Sequence, residues 1–263
     1  MPDPGLRTPL LDFFRRGEVA RDIRLQAAQG GMAPRAHEQI ALLMLLVDDH
    51  DPEIKAAADA TIGIIPRSSL EAFLARSDAS KEMRDFFAER GVLPGVAPAQ
   101  DTDSPLLDVD GDLPHDEILE EVPEGDEPRP STVQKIASLN VAGRMSLAMR
   151  GSREERAVLI RDPNKIVGAA VLSSPKLNET EVESIAKMGS VSEDVLRTIG
   201  SSRAWTKSYA IVHALVRNPK MPLALSMNFL QRINDKDLRS LSTNRNVPEV
   251  LRFAARKKLV VDK

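Results

Sequence analysis

The sequence predicts an all-α protein: a C-terminal α-solenoid, a smaller N-terminal helical domain, and an acidic disordered linker between them. Three observations carry that expectation. A phrase returns along the chain. Leu159-Ile160-Arg161-Asp162-Pro163 is echoed by Ile185-Ala186-Lys187-Met188-Gly189, by Leu215-Val216-Arg217-Asn218-Pro219, and more loosely by Leu241-Ser242-Thr243-Asn244-Arg245. The steps are 26, 30 and 26 residues, a period that marks stacked supersecondary units, none able to bury its own apolar face. Strand signals are nearly absent from the C-terminal half, which has no sustained alternation and no Asn-Gly or Asp-Gly hairpin. Aromatic residues make up only 3% of the 263 residues, so the core must be Leu, Ile, Val, Met and Ala, which suits short, closely packed helices.

Taken in order, residues 1–95 form the N-terminal helical domain. Gly30-Gly31 is a helix stop, and Glu38 to Leu46 is a hydrophobic helix. Leu46-Val47-Asp48-Asp49-His50-Asp51-Pro52-Glu53-Ile54, followed by Lys55-Ala56-Ala57-Ala58, echoes Asp162-Pro163-Asn164-Lys165-Ile166 followed by Gly168-Ala169-Ala170. A weaker echo, Leu74-Ala75-Arg76-Ser77-Asp78, comes 28 residues later. Ser69 to Leu74 and Lys81 to Glu89 are further helices. Residues 96–132 are the linker, with Pro98, Pro105, Pro114, Pro123, Pro128 and Pro130 among mutually repelling carboxylates. It holds two apolar islands fit to dock, Leu106-Leu107 and Ile118-Leu119-Glu120-Glu121-Val122.

Residues 133–263 read as nine or ten short helices. Asp162-Pro163 and Asn218-Pro219 have the form of an N-cap followed by proline at the first helical position. Asn178-Glu179-Thr180-Glu181 has the spacing of a capping box. Apolar stripes run through Val182, Ile185 and Ala186, through Val195, Leu196 and Ile199, and through Leu223, Met227 and Leu230.

The formal net charge of −3 hides a segregation. Residues 1–95 carry 12 Lys and Arg against 15 Asp and Glu, residues 96–130 one against 12, and residues 131–263 carry 23 against 12. The C-terminal part is thus as basic as the linker is acidic, at +11 and −11. The absence of cysteine excludes disulfides, thiolate chemistry and cysteine-ligated zinc, and points to a reducing compartment. The longest apolar run, Ile40 to Val47, has eight residues, where a membrane span takes about 20. With no basic-plus-apolar leader at Met1, the expected location is the cytoplasm.

The Leu-x-x-Asn/Asp-Pro phrases, each ahead of an alanine-rich helix, resemble HEAT-like repeats and the related leucine-rich-repeat variant. The C-terminal half is similar to a bacterial HEAT-repeat family. The resembling stretches are Lys135 through Met149, Leu159 through Lys165, Ser201-Ser202-Arg203-Ala204-Trp205, and Ala214 through Lys220. The resemblance covers about residues 133–260 and extends to an acidic linker upstream. It implies an α-solenoid and no catalytic residue, because that family carries no established reaction.

Chemical motifs are few. His50 lies among Asp48, Asp49 and Asp51, the residue types of a cation site, but a solvated polar loop or helix cap is the reading that accounts for them. Asp108-Val109-Asp110-Gly111-Asp112 opens like a calcium loop, but Leu113 and Leu119 stand where that loop needs glycine and a closing glutamate. No phosphate-binding glycine loop, dinucleotide fingerprint or nucleophile elbow is present. Hence no cofactor, no metal and no catalytic role are expected.

Basic residues at the repeat turns are the candidate partner-binding set. Arg161, Lys187 and Arg217 occupy the same place in successive repeats, and Arg245 lies two residues past it. Lys165, Arg203, Lys207 and Lys220 are close by in sequence. Helix C-termini favour Lys and Arg unaided, which explains each position but not the +11 of the whole region. The expected function is a non-catalytic scaffold binding an acidic protein segment, its own linker being one candidate. The alternative is nucleic-acid binding, including a glycosylase-like enzyme of the kind that bacteria build on HEAT-like repeats. Trp205 and Tyr209, four residues apart on one expected helix, would supply its aromatic face.

Overall fold

The computed structural model describes residues 8–33, 35–96, 104–107 and 132–261. Among them the chain forms sixteen α-helices and no strand. The all-α expectation therefore holds. The Asp108–Asp112 run and the Ile118–Val122 island lie outside the described residues.

The N-terminal helices are α1 (Pro9–Arg15), α2 (Arg21–Ala28), α3 (Ala36–Leu46), α4 (Pro52–Ile64), α5 (Arg67–Leu74) and α6 (Lys81–Glu89). Thr8 caps α1 ahead of Pro9, Asp51 caps α4 ahead of Pro52, and Ser80 caps α6. The stop expected at Gly30-Gly31 is a left-handed residue, Gly30 at φ 89°. Helix α3 is buried nearly all round, from Ala36 through Leu43, the pattern of a central helix rather than a surface one. It contacts α1, α2, α4 and α6.

The C-terminal part contributes ten helices, as the cap and stripe patterns predict. They are α7 (Thr132–Ser138), α8 (Val141–Arg150), α9 (Arg153–Leu159), α10 (Lys165–Leu172), α11 (Glu179–Lys187), α12 (Glu193–Ser201), α13 (Tyr209–Arg217), α14 (Leu223–Phe229), α15 (Asp235–Thr243) and α16 (Glu249–Val261). Each of α8 through α12 begins on a serine or asparagine whose side chain accepts a first-turn N–H, as does α15. Helices contact their next-but-one neighbours: α8 meets α10, α10 meets α12, α14 meets α16, α7 meets α9, and α11 meets α13. The N-terminal helices join on one side, α1 against α10 and α2 against α8. Buried side chains from Leu10 to Ala255 form one hydrophobic cluster.

Four local expectations need correction. Asp162-Pro163 does not start a helix; α10 starts two residues later on Asn164, whose Oδ1 accepts from Ile166 N–H. Asn218 closes α13 rather than opening α14, which follows Pro222. In the Asn178 motif the cap is right, but Glu181 turns its carboxylate to Arg156 rather than back to the cap backbone; the closed capping box is Ser152 with Glu155. On α14, Leu223 and Met227 are exposed while Ser226 and Phe229 are buried, because the helix ends at Phe229 and Leu230 enters a 3-10 turn.

Candidate functional site

The recurring phrase is a turn. After α9, Asp162 Oδ1 accepts from Asn164 N–H at 2.8 Å; after α13, Asn218 Oδ1 accepts from Lys220 N–H at 3.0 Å; after α15, Asn244 Oδ1 accepts from Asn246 N–H at 3.0 Å. An Asx turn of this kind lets a short polar side chain stand in for backbone where a helix stops. The N-terminal part builds the same turn after α3, with Asp49 Oδ1 accepting from Asp51 N–H at 2.9 Å. The likeness goes deeper. Asp49 and Asp162 are both nearly buried, and each pairs with an arginine on the helix before its own, Arg24 of α2 and Arg144 of α8. Burial pushes the Asp49 carboxyl up, but the Asp51 N–H, Arg24 and His50 outweigh it and hold the carboxyl below the ordinary range.

The turn carboxylates thus face inward, onto arginines, and the neighbouring cations face outward. Arg161, Lys187 and Arg217 are all exposed at the C-terminal ends of α9, α11 and α13. Their surroundings differ. Arg161 Nε donates to Ala157 O at 3.0 Å, capping its own helix end. Lys187 pairs with Glu183 at 2.5 Å along α11, and Arg217 donates to Ser240 Oγ at 3.1 Å on α15. Lys187 and Arg217 line one open groove of about 540 Å³ with His213, Asn218, Asn244 and Asn246. Arg245 lies between two of these asparagines, exposed and without an ion pair or hydrogen bond among the described residues.

The other candidates divide. Lys220 opens the turn after Asn218, and its Nζ donates to Val191 O at 3.2 Å. Lys165 is on the far side of its turn and pairs with Asp194 of α12 at 2.8 Å, which keeps its ammonium charged above the usual range. Arg203 and Lys207 stand between α12 and α13, at the opposite end of α13 from Arg217, roughly 13 Å away along a nine-residue helix. They belong to the other edge of the molecule.

Trp205 and Tyr209 do not share a helix face. Trp205 starts a 3-10 turn, Ser208 is extended, and α13 begins at Tyr209. Trp205 packs against the core and borders a second groove of about 450 Å³ beneath α1, with Asp12, Phe13, Arg16, Arg197 and Ser201. Sequence reasoning missed this groove, since its walls come from opposite ends of the chain. Tyr209 stacks on His213 and donates its hydroxyl to Asp237 Oδ2 at 2.6 Å. That bond, foremost, holds the Asp237 carboxyl below its ordinary range. Burial, then Asp237, raises the Tyr209 phenol.

The His50 loop is accounted for by structure, with Asp49 on Arg24 and Asp51 on Arg21. Among the described residues no group of three His, Asp or Glu side chains is placed to hold a metal ion. No helix there is long and apolar enough to cross a membrane. Comparison of the chain with protein-family models, with curated proteins and with solved structures finds no match.

Proposed function

We propose that residues 133–260 form a HEAT-like α-solenoid acting as a non-catalytic scaffold, which binds an acidic protein segment along its turn edge. Two features support the solenoid: the next-but-one helix contacts, and the same Asx turn after α9, α13 and α15. One observation carries the binding reading. Lys187 and Arg217, cations from successive repeats, wall a single open groove whose other polar lining is amide and imidazole. Among the described residues the lining itself holds no carboxylate; His213 Nε2 lies 3.6 Å from Asp237 Oδ1, behind the groove, and Tyr209 occupies the other oxygen of that carboxylate. A lining of cations and amides suits the docking of an anionic segment. The acidic linker of this chain is one candidate occupant.

The test uses the full chain carrying Lys187→Glu and Arg217→Glu. A fluorescent acidic peptide should bind the wild type in a salt-dependent way and the variant at least about tenfold more weakly, roughly 1.4 kcal/mol. Thermal stability should hold, since exposed surface substitutions change it by only about 0.5 kcal/mol. Equal peptide binding by both proteins would reject the groove. Tighter binding of DNA or RNA than of the peptide would replace the scaffold reading with a nucleic-acid one.

A further inference from the structure

Gln39 lies on the central helix α3 with 1% of its surface exposed, yet its amide makes four hydrogen bonds. Nε2 donates to Gly30 O at 3.0 Å and to Leu107 O at 2.9 Å. Oε1 accepts from Leu106 N–H at 2.8 Å and Leu107 N–H at 3.0 Å. The leucines come from the acidic stretch, 67 and 68 residues further along the chain. Both pack half-buried against the core. Beside Pro105 and Leu106 the groove continues as an open space of about 330 Å³, walled by Ala36 of α3, by Ser69, Ala72 and Phe73 of α5, and by Arg76.

A buried primary amide is costly unless both of its ends are partnered. Among the described residues, the Gln39 oxygen receives hydrogen bonds from Leu106 and Leu107 alone. A glutamine at this point of a helix otherwise apolar from Ile40 to Leu43 is explained by what it holds. A side-chain amide reads the backbone of a short segment, and two leucines supply apolar burial. Pro105 has no N–H and fixes its own φ, which lowers the cost of ordering such a ligand. The space beside Pro105 leaves room for more of a longer ligand.

We propose that the groove formed around Gln39 by α3, α5 and the turn at Gly30 is a recognition site for Pro-Leu-Leu segments. Residues 104–107 are its resident ligand, and a partner protein carrying the same short sequence displaces them. The site is separate from the basic turn edge and does not depend on it.

The experiment uses the full chain and a fluorescent peptide of residues 101–112. In a Leu106→Asp, Leu107→Asp variant the groove is vacated, and the peptide should bind at least about tenfold more tightly than to wild type, whose own segment competes in cis. Adding Gln39→Ala should weaken peptide binding by about tenfold. A helical, thermally stable double variant that does not bind the peptide overturns the proposal, as does equal binding of a peptide with both leucines replaced by aspartate. Should the variant fail to fold, hydrogen exchange on the wild type decides. Excess peptide must accelerate exchange at the Leu106 and Leu107 amides, and unchanged exchange at millimolar peptide overturns the proposal.

Discussion

Arg156 and Glu181 show what a single residue pair contributes and how it hides in a sequence. Their side chains are 5% and 7% exposed. The guanidinium grips the carboxylate twice, at 3.0 and 2.8 Å, and also donates to Gly151 O at 2.7 Å. Gly151 is required there, because a Cβ would stand 2.4 Å from Leu147 O. Removing one partner of such a pair strands a buried charge. Arg156→Met or Glu181→Gln should each cost about 3–5 kcal/mol in urea unfolding, and the paired apolar replacement should recover most of that. Additive losses in the double variant would mean that the pair is not a unit. Glu181 was legible as a helix-start glutamate, but its partner lies 25 residues away, and cap spacing carries no information about that. Asp49 gives a pH prediction with a definite sign. Its folded carboxyl titrates below the ordinary value, about 3.9 for an unfolded aspartate. Around that pH the unfolded chain therefore binds more protons, so the stabilisation is complete above pH 4–5 and is lost as pH falls through the folded value. Asp49→Asn should flatten the acid limb of the stability curve and leave its shape near neutrality unchanged.

At the scale of elements, the returning phrase was visible in the sequence because each repeat must stop a helix at the same place. Its spacing alone predicts that the Asn/Asp starts the next helix, but a side-chain oxygen bonding the N–H two residues on serves a turn as well as a cap. Asn218 does more than turn the chain. It is 4% exposed, and its Nδ2 donates to Ala186 O at 2.8 Å and Met188 O at 3.0 Å, satisfying carbonyls at the end of α11. Asn218→Ala leaves those acceptors buried and unpartnered, and should cost about 1–3 kcal/mol. Asn244→Ala, in the equivalent exposed turn with no such cross-helix bond, should cost about 0.5 kcal/mol. Chemical denaturation of the two variants side by side checks this, and equal losses would mean that the asparagine acts only through its own turn. The Leu223–Met227 stripe misled for a related reason. Periodicity assumes a helix long enough to present one face, and α14 has seven residues before its 3-10 turn.

For the molecule as a whole, composition and charge divide the chain at the linker, yet α1 lies on α10 and α2 on α8. Nothing in the stripe Leu10, Leu11, Phe14 announces a partner more than 150 residues away, because apolar burial is non-directional and leaves no complementary mark on either surface. The same holds for the groove between α1 and Trp205. The buried Arg–Asp pairs at Asp49 and Asp162 show that both parts follow one local plan. Their shared hydrophobic cluster couples them energetically. A core continuous across the two parts should unfold in one step. Trp205, the single tryptophan, borders the groove beneath α1 and reports by fluorescence both that contact and the C-terminal part, while circular dichroism reports the sixteen helices of the described residues. The two urea transitions should coincide. Leu11, fully buried on α1, provides the sharper test. Leu11→Ala should cost about 2–5 kcal/mol through its lost burial and residual cavity, and in a cooperative molecule it should shift both transitions by the same amount. If circular dichroism splits into two steps, the early one accompanied by the Trp205 change that loss of its α1 neighbours brings, α1 and its neighbours unfold on their own. The contact of α1 with α10 would then be a docking of two separately stable parts.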